Sequence, residues 1–204
     1  MALSDIDVTG VKFYAADPIK DEQHVKAIYR LLEKKPRDQA LFIVGIATNL
    51  RGGDIVRLTV QNAIDIIDKG FCIIKEMKTE NRREVYMSAD AKLVLAKYLH
   101  LRQAQGAKLE DSLFMGQRGP ILRATLSKML QSWCETIGVP GKISSHTLRK
   151  TYGYFQYYHN GVGLAELMDE FHHKRPDVTL RYIGVSGKDE RQKRVESLRY
   201  NFND

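Results

Sequence analysis

Apolar residues recur every three to four positions along most of the chain, and one stretch switches to a shorter period. Val25, Ile28, Leu31 and Leu32 share one face of a helix expected from Pro18 to about Lys34, with Pro36 stopping it. Asp38 to Thr48 is apolar nearly all round and reads as a buried helix, broken by Asn49 to Asp54. The period then shortens. Ala63 to Ile67, a turn at Asp68-Lys69-Gly70, Phe71 to Lys75, a turn at Glu80-Asn81-Arg82 and Glu84 to Met87 read as three short antiparallel strands. Such a sheet is stable only when packed on helices. Ser88 caps a helix from Ala89 to about Gln105, ended by Gly106, and a loop follows at Gly116 to Pro120. Further helices are expected at about 123–137, 146–159, 163–171 and 177–183. Gly184 to Gly187 breaks the chain before a charged, helical tail from Lys188 to Arg199. The aromatic run Tyr152, Tyr154, Phe155, Tyr157 and Tyr158 fits one helix packing into the core with two tyrosines at its surface.

The fold class is therefore α+β and mainly helical, with one small three-stranded antiparallel sheet. The 204 residues suffice for one compact domain with an appendage. We divide them into an arm at 1–17, a main domain at 18–186 and a charged tail at 187–204. Hydrophobic residues at 43% and charged residues at 28% exclude a disordered chain. No apolar run approaches the ~20 residues of a membrane span, and Met1 to Asp7 does not read as a signal peptide. Cys72 and Cys134 are too few for a disulfide framework and read as buried small hydrophobes in a reducing, cytoplasmic compartment.

The net charge of +7 is unevenly placed: residues 101–204 carry 16 basic against 11 acidic side chains. From Arg118 to Lys150 the chain has Arg118, Arg123, Lys128, Lys142, Arg149 and Lys150 against Glu135 alone. A basic stretch in structured sequence suits a polyanion, because each neutralised phosphate releases counterions. Arg118, Arg123, Lys128, Lys142 and Lys150 are the candidate phosphate-tracking residues.

Within that stretch, Ser144-Ser145-His146-Thr147-Leu148-Arg149 opens a helix. Its serines are cap candidates, and His146 and Arg149 share one face near the N-terminus, where backbone N–H groups favour anions. Further on, His173 precedes Tyr182 by nine residues across a turn at Pro176, and Arg181 places a charge beside the phenol. His172, His173, His159 and Asp169 lack any metal-ligand spacing, so no metal and no cofactor is expected.

His146-x-x-Arg149, His173 and Tyr182 together resemble the catalytic end of the tyrosine recombinase (phage integrase) family. That family carries an earlier arginine in a box of the form T-x-L-R-x-x-D/E, and this chain has Thr48-Asn49-Leu50-Arg51-Gly52-Gly53-Asp54. It also carries a lysine at a strand turn, and this chain has Lys78-Thr79 before Glu84-Val85-Tyr86-Met87-Ser88, with Lys75 as second choice. His173, which keeps the nine-residue spacing, is preferred over His172 as the family histidine.

The resemblance implies a site-specific recombinase that cleaves and rejoins duplex DNA through a covalent 3′-phosphotyrosine, without metal or ATP. Arg51 and Arg149 would clamp the phosphate, Tyr182 would attack, His146 would take the phenol proton, Lys78 would protonate the leaving 5′ oxygen, and His173 would bond a non-bridging oxygen. It further implies duplex DNA with an inverted-repeat core as substrate, a homotetramer on DNA from protomers that are monomeric when free, and an accessory DNA-bending protein in some reactions. The tail at 187–204 is a candidate for docking on a neighbouring protomer. Most members carry a separate N-terminal DNA-clamping domain, which residues 1–17 are too short to supply. Two readings within the same chemistry are a topoisomerase-like enzyme and a telomere-resolving one; a third reading is a DNA-binding regulator of the same fold that no longer cuts.

Overall fold

In a computed structural model, residues 16–77 and 80–197 are described. The chain begins with an extended segment laid along the protein. Asp17 and Lys142 exchange hydrogen bonds, and the Ile19 N–H donates to Thr151 Oγ1 at 2.8 Å. Ile19 is thereby fully buried, so residues 18–21 are not the first turn of a helix. Asp21 caps α1 (Glu22–Leu31) instead, its carboxylate accepting from the Gln23 N–H. Pro36 starts α2 (Pro36–Ala47) rather than merely ending α1, because a missing N–H costs nothing at a first helical position. Ala40, Leu41, Phe42 and Val44 are completely buried, which makes α2 the central helix of the main core, as its all-round apolar pattern requires.

One turn of helix, α3 (Gly52–Ile55), lies in the stretch expected to break the chain. The next element corrects the sequence reading. Residues 63–67 are not a strand; they belong to α4 (Val60–Lys69). Thr59 and Asn62 form a reciprocal capping box, and Val60, Ala63 and Ile66 turn inward with Ile64 and Ile67 packed beside them. Over five residues, apolar positions 63, 64, 66 and 67 fit either period; the cap, which lies outside that window, decides. Gly70 is the left-handed cap of this helix (φ 88°), not a hairpin turn.

The sheet is consequently a two-stranded hairpin, β1 (Phe71–Lys75) with β2 (Arg82–Tyr86), pairing Cys72 with Val85 and Ile74 with Arg83. Ser88 caps α5 (Ala89–Ala104), and α2, α4, α5 and β1 pack together. A second, minimal hairpin, β3 (Met115–Gly116) with β4 (Gly119–Pro120), occupies the expected loop. Then follow α6 (Arg123–Ile137) and α7 (Ser145–Tyr158).

A smaller core of Tyr154, Leu167, Phe171, Ile183 and Val185 joins α7 to α8 (Leu164–Phe171) and α9 (Pro176–Tyr182). Gly153 is the contact point. A Cβ there would stand 2.6 Å from Ile183 Cγ2 and 2.7 Å from Phe171 Cζ, so only a glycine lets α7 lie flush against Phe171. The last element, α10 (Gly187–Ser197), rests on its own chain: Asp189 pairs with Lys20 at 3.0 Å, and Lys193 lies over the Tyr157 ring. Residues 198–204 of the expected docking tail and 1–15 of the arm lie outside the described residues. Among the described residues no helix is long and apolar enough to cross a membrane.

Candidate active site

The start of α7 is built by Ser144, whose Oγ accepts from the His146 N–H at 3.2 Å while its own N–H donates to Thr147 Oγ1. This cap fixes the first turn and sends His146 and Arg149 out on one side of it. Arg149 is buried. Its Nη1 donates to the Asn49 carbonyl at 2.6 Å, and its guanidinium carbon sits 5.0 Å from the Phe171 ring centre. Burial pulls its pKa down to about 10; Tyr182 and Glu76 act to raise it, Arg51 and Arg83 to lower it. It stays charged at neutral pH, held by packing and one backbone acceptor.

Arg51 stands at the N-cap of α3. It lines a cleft of about 270 Å3 together with Gly53, Arg123 and His146. Its Nη1 lies 2.9 Å from Oε1 of Glu76, a fully buried carboxylate that also meets Arg83 Nη1 at 3.4 Å. Asp54, the acidic residue of the same box, accepts the Met77 N–H at 2.9 Å and so ties the Arg51 loop to the hairpin turn. Lys78 and Thr79 lie outside the described residues. Lys75 is exposed on β1 and reaches toward Glu80 at 3.4 Å.

The end of α8 turns sharply at His172, which adopts the left-handed conformation (φ 58°) and lets the His173 N–H bond Met168 O at 2.8 Å. That reversal carries His173 back toward α9. Its Nδ1 is 3.1 Å from Thr179 Oγ1, and its ring centre is 5.2 Å from that of Tyr182. Tyr182 closes α9, half-buried, with Phe171 at 5.1 Å and the Lys150 ammonium 5.1 Å from its ring centre. Arg181, expected to charge the surroundings of the phenol, reaches Asp177 at 3.5 Å. Phe171 thus touches Arg149, His173 and Tyr182 with one ring. His172 is exposed and lines a separate cavity with Arg82 and Glu84.

Burial, reinforced by nearby cations, lowers both histidines to about 4: Arg123, Arg149, Lys150 and Arg51 act on His146, and Arg149, His172 and Arg51 on His173. Both are neutral at pH 7. Because their folded values lie below the ordinary 6.5, the unfolded chain binds more protons between pH 6.5 and about 4. Their contribution to stability is complete above 6.5 and is lost as the pH falls. We predict that the melting temperature of a His146→Gln, His173→Gln double variant, relative to the parent, rises as the pH is lowered from 7 to 4.5. A pH-independent difference would contradict the buried neutral assignment.

Of the expected phosphate-tracking residues, Arg118, Arg123, Lys128 and Lys142 are exposed, and Arg123 reaches the cleft. Lys150 is not on that exposed face: it is buried, with its ammonium over the Tyr182 ring. Three supporting residues carry no role in the sequence reading. Asn49 donates to Glu170 O and Oε2 at 3.1 and 3.2 Å, joining the Arg51 box to the end of α8. Glu76 and Arg83 form the ion cluster behind Arg51. Alternation along β1, which turns Cys72 and Ile74 inward, was the available signal for Glu76. Among the described residues no group of three or more His, Cys, Asp or Glu side chains is placed to hold a metal ion.

Residues 20–188 match the phage integrase family. The probable integrase/recombinase YoeC of Bacillus subtilis (strain 168) is 31% identical over 175 residues, covering 84% of this chain and 91% of that protein. Among solved structures, the XerA recombinase superposes with a TM-score of 0.74 at 19% identity, over 93% of this chain and 67% of its own. The XerH recombinase on a palindromic difH substrate gives 0.67 at 17%, over 94% of this chain and 58% of its own. The lambda integrase tetramer bound to a Holliday junction gives 0.62 at 16%, over 89% and 52%. These similarities agree with the mainly helical α+β fold, and this chain spans little more than half the length of the last two.

Proposed function

The chain belongs to the phage integrase family of tyrosine recombinases, the DNA strand transferases of site-specific recombination, and from that membership we propose the following chemistry. Tyr182 Oη attacks a phosphorus of duplex DNA. The bond from phosphorus to the 5′ oxygen breaks, and a 3′-phosphotyrosine forms. Arg51 and Arg149 clamp the non-bridging oxygens, since guanidinium forks match phosphate and remain charged. His146 accepts the phenol proton, His173 bonds a non-bridging oxygen, and Lys78 gives its proton to the leaving 5′ oxygen. Attack by a 5′ hydroxyl reverses each transfer and reseals the strand, so the phosphodiester energy is conserved and no ATP is needed. The observation that carries this reading is the gathering of Arg149, His173 and Tyr182 around Phe171.

The low basicity of His146 fits this role once DNA is bound. Burial is the main cause of the lowering, and a phosphate anion between the two arginines offsets their smaller share of it, which moves the imidazole upward. The substrate in this reading is a duplex with an inverted-repeat core, joined to a second duplex by a tetramer assembled on DNA. The test is a duplex nicked near the cleavage site, incubated in excess chelator. A covalent protein–DNA adduct is expected, whereas intact DNA under every condition would favour a silent regulator.

Two further results are expected. DNA affinity falls by roughly 10³-fold or more between 50 and 200 mM salt if six or more phosphates are engaged; a flat response in a filter-binding titration contradicts a phosphate-tracking face. His172→Gly keeps full cleavage and gains on the order of 0.5–1 kcal/mol of stability, because glycine adopts the left-handed turn without the steric cost of a β-carbon. Loss of cleavage in that variant would make His172 the phosphate-facing histidine.

A further inference from the structure

We propose that Glu76 is a positioning residue for strand cleavage, holding the Arg51 guanidinium in the orientation that meets the scissile phosphate. The inference rests on the reading of Arg51 as a phosphate clamp. An arginine side chain has large rotamer freedom, which must be removed before its fork can meet an oxyanion at a fixed distance. Arg51 starts from an unpromising place, the N-cap of a single helical turn, with two glycines following it. Glu76 supplies the constraint. Its carboxylate is 1% exposed and lies 2.9 Å from Arg51 Nη1. Arg83, on β2, holds the same Oε1 from the other strand at 3.4 Å.

The direction of approach separates an anchor from a competitor. Arg51 lines the cleft that also contains His146 and Arg123. Glu76 and Arg83 line the other cavity, with Tyr152, Glu170 and His172. The carboxylate therefore grips Arg51 from the far side and does not fill the cleft. The contact is an ion pair through Nη1, which makes no hydrogen bond, so a guanidinium with five N–H donors keeps capacity for a phosphate.

Glu76 also begins the hairpin turn. Its N–H donates to Asn81 O at 3.0 Å, and its carbonyl accepts the Glu80 N–H at 3.0 Å. A single residue thus links the position of Arg51 to the base of the turn between β1 and β2. Asp54, which accepts the next N–H of the turn, makes the link a double one.

The test compares the parent chain, Glu76→Gln, Glu76→Asp and Tyr182→Phe. Three quantities are read: melting temperature, DNA dissociation constant, and the rate of adduct formation on nicked duplex at saturating DNA. The glutamine keeps shape and hydrogen-bonding capacity but removes the charge. Its rate is expected to fall on the order of 100-fold, the scale of a misplacement near 1 Å. DNA affinity should hold or tighten, because a negative charge beside a phosphate site has gone. Glu76→Asp should recover part of the rate. A purely structural role predicts instead that rate, affinity and melting temperature decline together and that aspartate recovers nothing, and that result overturns the proposal. So does a glutamine variant within threefold of the parent rate. If the glutamine variant does not fold, the aspartate decides: slower cleavage at unchanged affinity supports the anchor, and the parent rate removes it. Failure of the parent chain itself to form any Tyr182-dependent adduct overturns the reading on which the inference stands, a result distinct from either of these.

Discussion

Tyr182→Phe is expected to bind duplex DNA as the parent chain does and to form no covalent adduct at all. The substitution removes one oxygen and leaves the ring. The ring contacts survive the substitution: Phe171 at 5.1 Å, His173 at 5.2 Å and the Lys150 ammonium at 5.1 Å are all measured to the ring. The oxygen is what the chemistry uses, since nothing else at the end of α9 can become esterified to phosphorus in its place. Thr179, the nearest hydroxyl on that helix, is fully buried against His173 Nδ1. An adduct of normal yield in the phenylalanine variant would move the nucleophile elsewhere.

Arg149→Lys is expected to lower the cleavage rate at saturating DNA by about 10³-fold, in the range for losing a preorganised donor to a developing oxyanion. DNA affinity should drop only a few-fold, because many phosphate contacts share it. The reason is geometric. Arg149 spends Nη1 on the Asn49 carbonyl and sets its guanidinium carbon 5.0 Å from the Phe171 ring centre, which leaves its other N–H groups for a ligand. An ammonium is a point charge that cannot divide itself between a backbone acceptor and two phosphate oxygens. A lysine buried in the same position also loses its proton more readily than a guanidinium. Parent-like turnover in this variant, measured under single-turnover conditions, would remove Arg149 from the clamp.

Arg149, His173 and Tyr182 lie around Phe171, and Arg51 and His146 line one cleft, but the neighbourhood of these residues was only partly legible in sequence. His146 and Arg149 were readable because a serine cap and a helical spacing of three are local features. The His173–Tyr182 relation was readable because nine residues and a proline enclose one turn between two helices. Arg51 was visible only through the box around it, since its partner Glu76, and the Arg83 that shares that carboxylate, lie on a hairpin whose register no local pattern announces. The strand expected at 63–67 became part of α4 for a related reason: five residues cannot separate a period of two from one of 3.6, and the deciding Thr59–Asn62 cap lay upstream. Lys150 shows the limit of reading charge as surface. It belongs by composition to the basic stretch, but its place on the inner face of α7 follows from the close approach at Gly153, which only the packed structure reveals.

These side chains also divide the work between fold and reaction. Glu76, Asp54 and Asn49 fix backbone and guanidinium positions before DNA arrives. His146 and His173 wait neutral because burial and the arginine field suppress their protonation. Binding of an anion then changes the electrostatics of all of them together.

The most direct measurement is to digest the adduct formed on nicked duplex and sequence the nucleotide-bearing peptide by mass spectrometry, in excess chelator. A single modified residue is expected, Tyr182, esterified to the 3′ phosphate with a free 5′ hydroxyl on the partner strand. Modification at any other residue, a 5′ linkage, or cleaved DNA with no attached peptide would contradict it.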